Sequence, residues 1–172
     1  YIMDLGANTG VFSLVAKSVN PNAKVYAFEP VKRVFDKLRQ NVRLNGYDVQ
    51  CVEMAVSNND GSAVIYDMDT EHILSVTVNH NYLDPSIKVH EVPIETICLN
   101  TFIRENNIPY IDLMKIDVET HEPQVLEGFS DYLSRFRPTM LIEILNNEIG
   151  EKVEGMIKGL GYLFYNIDEN KG

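Results

Sequence analysis

The sequence has little cysteine, few basic residues and no long apolar run. Two cysteines, Cys51 and Cys98, in 172 residues are too few for a disulfide scaffold and lack metal-ligand spacing. They read as reduced structural thiols, so the expected compartment is the cytoplasm. No apolar stretch approaches the roughly 20 residues of a membrane span, and no signal peptide is visible. Against 25 Asp and Glu stand only 15 Lys and Arg, a net charge of −10. That balance repels phosphate backbones and anionic lipid, so nucleic-acid and membrane partners are not expected. Position 1 is not Met, and the chain opens directly on an apolar strand, as a piece of a longer protein would.

What remains is ordinary globular composition, 45% hydrophobic and 23% charged, at a length suited to a single domain over 1–172. Tyr1–Leu5 reads as a strand, followed by a buried helix carrying Val11, Phe12, Leu14, Val15 and Val19 that stops at Asn20-Pro21. A second strand covers Lys24–Glu29, a helix follows through Val31, Val34, Phe35, Leu38 and Val42, and Val49–Val56 reads as a third strand. This alternation is that of right-handed βαβ units on a parallel sheet. From about 57 to 97 the pattern changes to short β pieces with turns at Asn58-Asn59-Asp60-Gly61 and Asp84-Pro85, an inserted β region. Alternation then resumes. Ile111–Ile116 and Met140–Leu145 read as strands, and one helix from Pro123 buries Val125, Leu126, Phe129 and Leu133. An amphipathic helix through Ile149, Val153, Met156, Ile157 and Leu160 precedes a last strand at Gly161–Asn166. The expected fold is α/β, a Rossmann-like doubly wound sheet cut short before its first strand and after its penultimate one.

In such a sheet, ligands sit at the carboxyl ends of the strands, near the switch in strand order. Asp4-Leu5-Gly6-Ala7-Asn8-Thr9-Gly10 lies there. Gly6 permits a tight strand-to-helix turn, and Gly10 permits close approach of a ligand or a neighbouring strand. Glu29 stands nineteen residues after Gly10, at the tip of the second strand, where a carboxylate can accept from both ribose hydroxyls of an adenosine. The G-x-x-x-G spacing departs from the dinucleotide fingerprint. Asp4 is placed to offer a counter-charge to a cofactor amine.

Tyr1–Gly10, with Val25-Tyr26-Ala27-Phe28-Glu29-Pro30, resembles the first two motifs of class I S-adenosylmethionine-dependent methyltransferases. Ile111–Glu119, then Glu122 and Val125-Leu126-Glu127-Gly128, is similar to the FkbM family, as are Val92–Ile97 and Pro138–Glu143. One departure stands out: the family's glycine after the glutamate is here Thr120, followed by His121 and Glu122-Pro123. The resemblance implies S-adenosylmethionine as cofactor and S-adenosylhomocysteine as product. It implies that Gly6, Ala7, Asn8 and Gly10 line the methionine portion. Glu29 would hold the ribose with Phe28 and Pro30 beside it, and Met54-Ala55-Val56 would lie against adenine. It also implies a hydroxyl acceptor on a sugar, glycan or polyketide-like small molecule.

Methyl transfer from a sulfonium to a hydroxyl asks mainly for alignment and a base. Asp117, Glu119, His121 and Glu122 follow the fourth strand of the parallel sheet and are the candidates, with Asp117 first by position and His121 first by proton affinity. Acids before a helix start also serve the helix dipole alone. Asp117, Glu119, His121 and Glu143 are residue types that suit a divalent metal, but their spacing assigns no ligand set. Two other readings compete. One is an NAD(P)-dependent oxidoreductase or epimerase, opposed by the first-loop spacing; the other is a cofactor-binding module without chemistry.

Overall fold

The computed structural model describes residues 1–68, 76–77 and 89–167. The chain begins β1 (Ile2–Leu5), α1 (Val11–Val19), β2 (Val25–Phe28), α2 (Lys32–Asn45) and β3 (Val49–Val52). After the insertion it continues α3 (Leu99–Glu105), β8 (Leu113–Ile116), α4 (Glu122–Glu127), α5 (Ser130–Phe136), β9 (Thr139–Ile142) and α6 (Asn147–Ile157). Among the described residues these strands form one five-stranded sheet in the order β3-β2-β1-β8-β9, every pairing parallel. All four residues of β2 are buried, as expected where helices cover both faces of a parallel sheet. The chain winds outward from β1 to β3, then returns to the other side of β1 with β8. The order therefore switches between β1 and β8, and their carboxyl ends open a crevice there.

The insertion is a second sheet: β4 (Ala55–Ser57), β5 (Gly61–Met68), β6 (Val76–Thr77) and β7 (Val89–Cys98) in the order β4-β7-β5-β6. β5 runs antiparallel to β6 and β7, whereas β4 is parallel to β7. Asp60, in the turn before β5, accepts from the Cys98 N–H at 2.7 Å and from Thr101 Oγ1 at 2.8 Å, which ties that turn to the start of α3. The Asp84-Pro85 turn lies outside the described residues.

The core lies on both faces of the parallel sheet. Phe28, Met114, Leu126 and Phe129 are fully enclosed in one cluster, and Val25, Ala27, Phe35 and Leu38 in another. A third, smaller cluster joins Val31 and Val34, beside β2, to Ile65 and Ile94 of the insertion.

Four sequence expectations need correction. The third strand does not run unbroken from Val49 to Val56. Val52 closes the parallel sheet by accepting from the Glu29 N–H at 3.1 Å, and the chain then bends so that Ala55 pairs with Thr96 of β7. The helix from Pro123 breaks into α4 and α5 at Gly128, whose backbone is pressed so closely on β4 that a Cβ there would lie 2.0 Å from the Ser57 carbonyl oxygen. Helix α1 is turned the other way: Val11, Val15 and Val19 are exposed, while Ser13 and Lys17 are buried. Ser13 donates to Asp4, and Lys17 Nζ reaches the carbonyls of Pro21 and Ala23 at 2.7 and 2.9 Å, so these hydrogen bonds, with Leu14 and Ala16 packed on the core, orient this helix. Finally, 162–167 forms no strand, and Leu163, Phe164 and Tyr165 stand exposed.

Candidate active site

A cleft of about 350 Å³ opens at the strand-order switch, lined from the first loop, the end of β2, the bend into β4, the insertion and the loop after β8. Its first wall is a consequence of Gly6. With φ +74, Gly6 turns the chain so that its own N–H and that of Ala7 both donate to the Phe28 carbonyl, at 3.1 and 2.8 Å. A Cβ at Gly6 would sit 1.9 Å from the Asp117 carbonyl oxygen, so the loop can pack against the end of β8 only without a side chain. Gly10 meets a different neighbour from the one expected: a Cβ there would lie 2.5 Å from Leu38 Cδ1 of α2.

Glu29, at the end of β2, forms the adjoining wall and is 7% exposed. Its Oε2 accepts from the Asn8 N–H at 3.0 Å and its Oε1 from the Val31 N–H at 2.9 Å. Burial pushes its pKa up to about 7, against the lowering effect of those two N–H donors. Phe28, Pro30, Met54 and Ala55 continue this wall with apolar surface. Val31, Val34, Ile65 and Ile94 line it too. Helical spacing marks the two valines in the sequence, whereas the two isoleucines reach the cleft only through the pairing of the inserted sheet.

Beneath the loop, Lys115 ties the ends of β1 and β8 together. Its ammonium donates to the Gly6 carbonyl at 2.8 Å, pairs with Asp117 Oδ2 at 2.9 Å and stands 3.7 Å from Asp4 Oδ1. Asp4 is fully buried, and its Oδ2 accepts from the Ser13 N–H and Oγ at 3.1 and 2.6 Å. Burial raises its pKa despite Ser13 and Lys115. Asp4, Ala7 and Gly10 are therefore not among the cleft-lining residues; they shape the loop that is.

Asp117 and Glu119 after β8, and Glu143 after β9, do line the cleft, whereas Glu122 is buried away from it. The Asp117 N–H donates to Leu5 O at 3.1 Å and the Glu143 N–H to Ile116 O at 2.9 Å, so neighbouring strand ends deliver both carboxyls to one place. Their mutual hydrogen bond, followed by burial and the surrounding negative charges, pushes Glu143 up to about 7. Glu119 is raised by burial first and by Asp117 and Glu122 after it. His121 is lowered by burial, and its Nε2 lies 3.0 Å from Ser57 Oγ. Among the described residues no three His, Cys, Asp or Glu side chains are grouped so as to hold a metal ion.

Between these acids the backbone keeps a glycine-like path without a glycine. Glu119 and Thr120 have φ 54 and 75, a region that a β-branched residue rarely enters. Glu122, 1% exposed, supports this turn by accepting from the Val118 N–H at 3.3 Å. Relief of the Thr120 strain exceeds the added flexibility of an unfolded glycine. Thr120→Gly is therefore expected to raise stability by about 0.5–1 kcal/mol. A urea midpoint equal to or below that of the parent would contradict it.

Residues 4–164 match the model of the methyltransferase FkbM domain. "Methyltransferase 1" of Beauveria bassiana is 30% identical over 146 residues, covering 76% of this chain and 59% of its own length. The 31-O-demethyl-FK506 methyltransferase FkbM of Streptomyces tacrolimicus is 29% identical over 190 residues, covering 94% of this chain and 72% of its own. The crystal structure of a methyltransferase FkbM from Methylobacillus flagellatus superposes with a TM-score of 0.62 at 13% identity, over 91% of this chain and 36% of that one. The chain thus spans little more than half of the first of these relatives and about a third of the solved chain. Among the described residues no helix is long and apolar enough to cross a membrane. With the sheet order, the first-loop turn and the family match in agreement, the chain belongs to the FkbM family of methyltransferases.

Proposed function

We propose that the cleft binds S-adenosylmethionine and that the domain, spanning 1–172, transfers its methyl group to a hydroxyl of a sugar, glycan or polyketide-like small molecule. The geometry of Glu29 carries this reading. A carboxylate has about four lone-pair sites. Two of those on Glu29 are taken by the Asn8 and Val31 N–H groups, which leaves two for the adjacent hydroxyls of a ribose. Gly6 and Asn8 stand at one end of the cleft for the methionine portion, and Phe28, Pro30, Met54 and Ala55 offer an apolar slot to adenine. The relative named for a 31-O-demethyl substrate supports oxygen as the acceptor atom.

When bound, the cofactor supplies a methyl group on a sulfonium leaving group. This chain's part is to align the acceptor and take its proton. Asp117, Glu119 and His121 line the same cleft as Glu29 and are the groups available for that. Calorimetric titration with S-adenosylhomocysteine, beside NAD, tests the reading directly. Micromolar binding of S-adenosylhomocysteine supports it. Heat from NAD alone would replace it with the oxidoreductase reading, and silence from both would remove the cofactor altogether.

A further inference from the structure

Ser57 is 4% exposed, and its hydroxyl oxygen faces two groups, each of which can accept a proton: His121 Nε2 at 3.0 Å and Asn58 Oδ1 at 3.3 Å. A hydroxyl has one proton to give. Which group receives it is decided one residue further out. Asn58 Nδ2 donates to Glu127 Oε2 at 2.8 Å, and a carboxylate can only accept. The amide is thereby turned with its oxygen towards Ser57. If Ser57 gave its proton to the imidazole, two oxygens would face each other with no proton between them. If Ser57 donates to Asn58, its oxygen accepts from the ring, and both contacts carry a proton. That arrangement requires hydrogen on Nε2.

We infer that Glu127, Asn58 and Ser57 form a relay that holds His121 in the Nε2–H tautomer, and that the Nδ1 lone pair is the proton acceptor for the substrate hydroxyl. Nδ1 has no protein partner among the described residues, and His121 lines the cleft while Ser57 lies behind it. Burial lowers the His121 pKa, which keeps the ring neutral and able to accept near pH 7. Asp117 is a weaker choice, because one of its oxygens is already paired with Lys115. The role rests on the methyl-transfer reading above. In that step the hydroxyl oxygen forms a bond to the methyl carbon, and the S–C bond breaks with its electron pair left on sulfur. The hydroxyl proton passes to Nδ1, and the imidazolium later releases it to water. His121 is thus the catalytic residue, and Ser57, Asn58 and Glu127 are positioning residues.

The test is spectroscopic and needs no acceptor. Long-range proton–nitrogen correlation spectra of the uniformly ¹⁵N-labelled protein report which ring nitrogen of each histidine carries hydrogen, and His121→Gln assigns the signal. A single Nε2–H form is expected at neutral pH. In Ser57→Ala the ring is expected to become a mixture of tautomers, and Ser57→Thr, which keeps the hydroxyl, should restore the single form. An Nδ1–H ring in the parent protein, or a signal indifferent to Ser57→Ala, overturns the inference. The reading it rests on fails separately: a parent protein with the Nε2–H ring but no calorimetric response to S-adenosylhomocysteine would keep the relay and remove the base role.

Discussion

Lys115→Met is expected to destabilise the fold by about 3 kcal/mol, because the substitution strips the counter-charge from a buried carboxylate. The lysine side chain is 16% exposed and Asp4 is fully enclosed. Asp117 is 35% exposed, and water will screen much of its share of the loss. Most of the effect therefore belongs to Asp4 and to the Gly6 carbonyl that loses its donor. The size should depend on pH. A carboxyl whose folded pKa is raised contributes stability at low pH that is lost as pH climbs through the folded value. Burial already raises Asp4, and removal of Lys115 raises it further. The gap between variant and parent should accordingly widen as pH rises above the ordinary carboxylate range, read as urea midpoints at acidic and at neutral pH. Equal midpoints at both would mean that the ammonium does not hold the ends of β1 and β8 together.

Glu29→Ala is expected to weaken S-adenosylhomocysteine at least tenfold, ~1.4 kcal/mol, since under the proposed function the substitution removes the two hydrogen bonds offered to the ribose. The variant also frees the Asn8 and Val31 N–H groups that shape the two loops beside the cleft. A pH profile separates the charge from the shape. With a pKa of about 7, Glu29 is mostly protonated at about pH 6 and mostly ionised at about pH 8. If the diol needs the ionised form, affinity should rise about tenfold over that interval. Binding should release a proton at the lower end. The same raised pKa means that the ligand-free fold loses stability as pH rises from about 4.5 towards 7 while its affinity increases. Glu29→Ala should lose this component of the pH dependence. A profile unchanged by the substitution would show that the carboxylate does not contact the ribose.

The parallel architecture was legible in the sequence because short apolar strands separated by helical spacing admit few other folds. The first loop was legible for a related reason: a turn this tight, followed by an acid at the tip of the next strand, is a local pattern. Other features were not local. The valines of α1 look like a buried face, yet they are exposed, because the Asp4–Ser13 bond and the Lys17 contacts outweigh their apolar spacing. Ile65 and Ile94 reach the cleft through the antiparallel β5–β7 pairing, which no spacing within either strand encodes.

The sequence by itself determined the alternation of the parallel strands with their helices, the place of the crevice and the residue types that surround it, since backbone propensity and periodicity act over a few neighbours. Only the tertiary structure decided which acids face the cleft and which lie beneath it. Asp4 and Asp117 are 113 positions apart, but parallel β1–β8 pairing sets them around one lysine. Ser57 and His121 are 64 positions apart and share one hydrogen bond. Long-range pairing and burial set the proton affinities and partners of these groups, and sequence spacing carries no record of either.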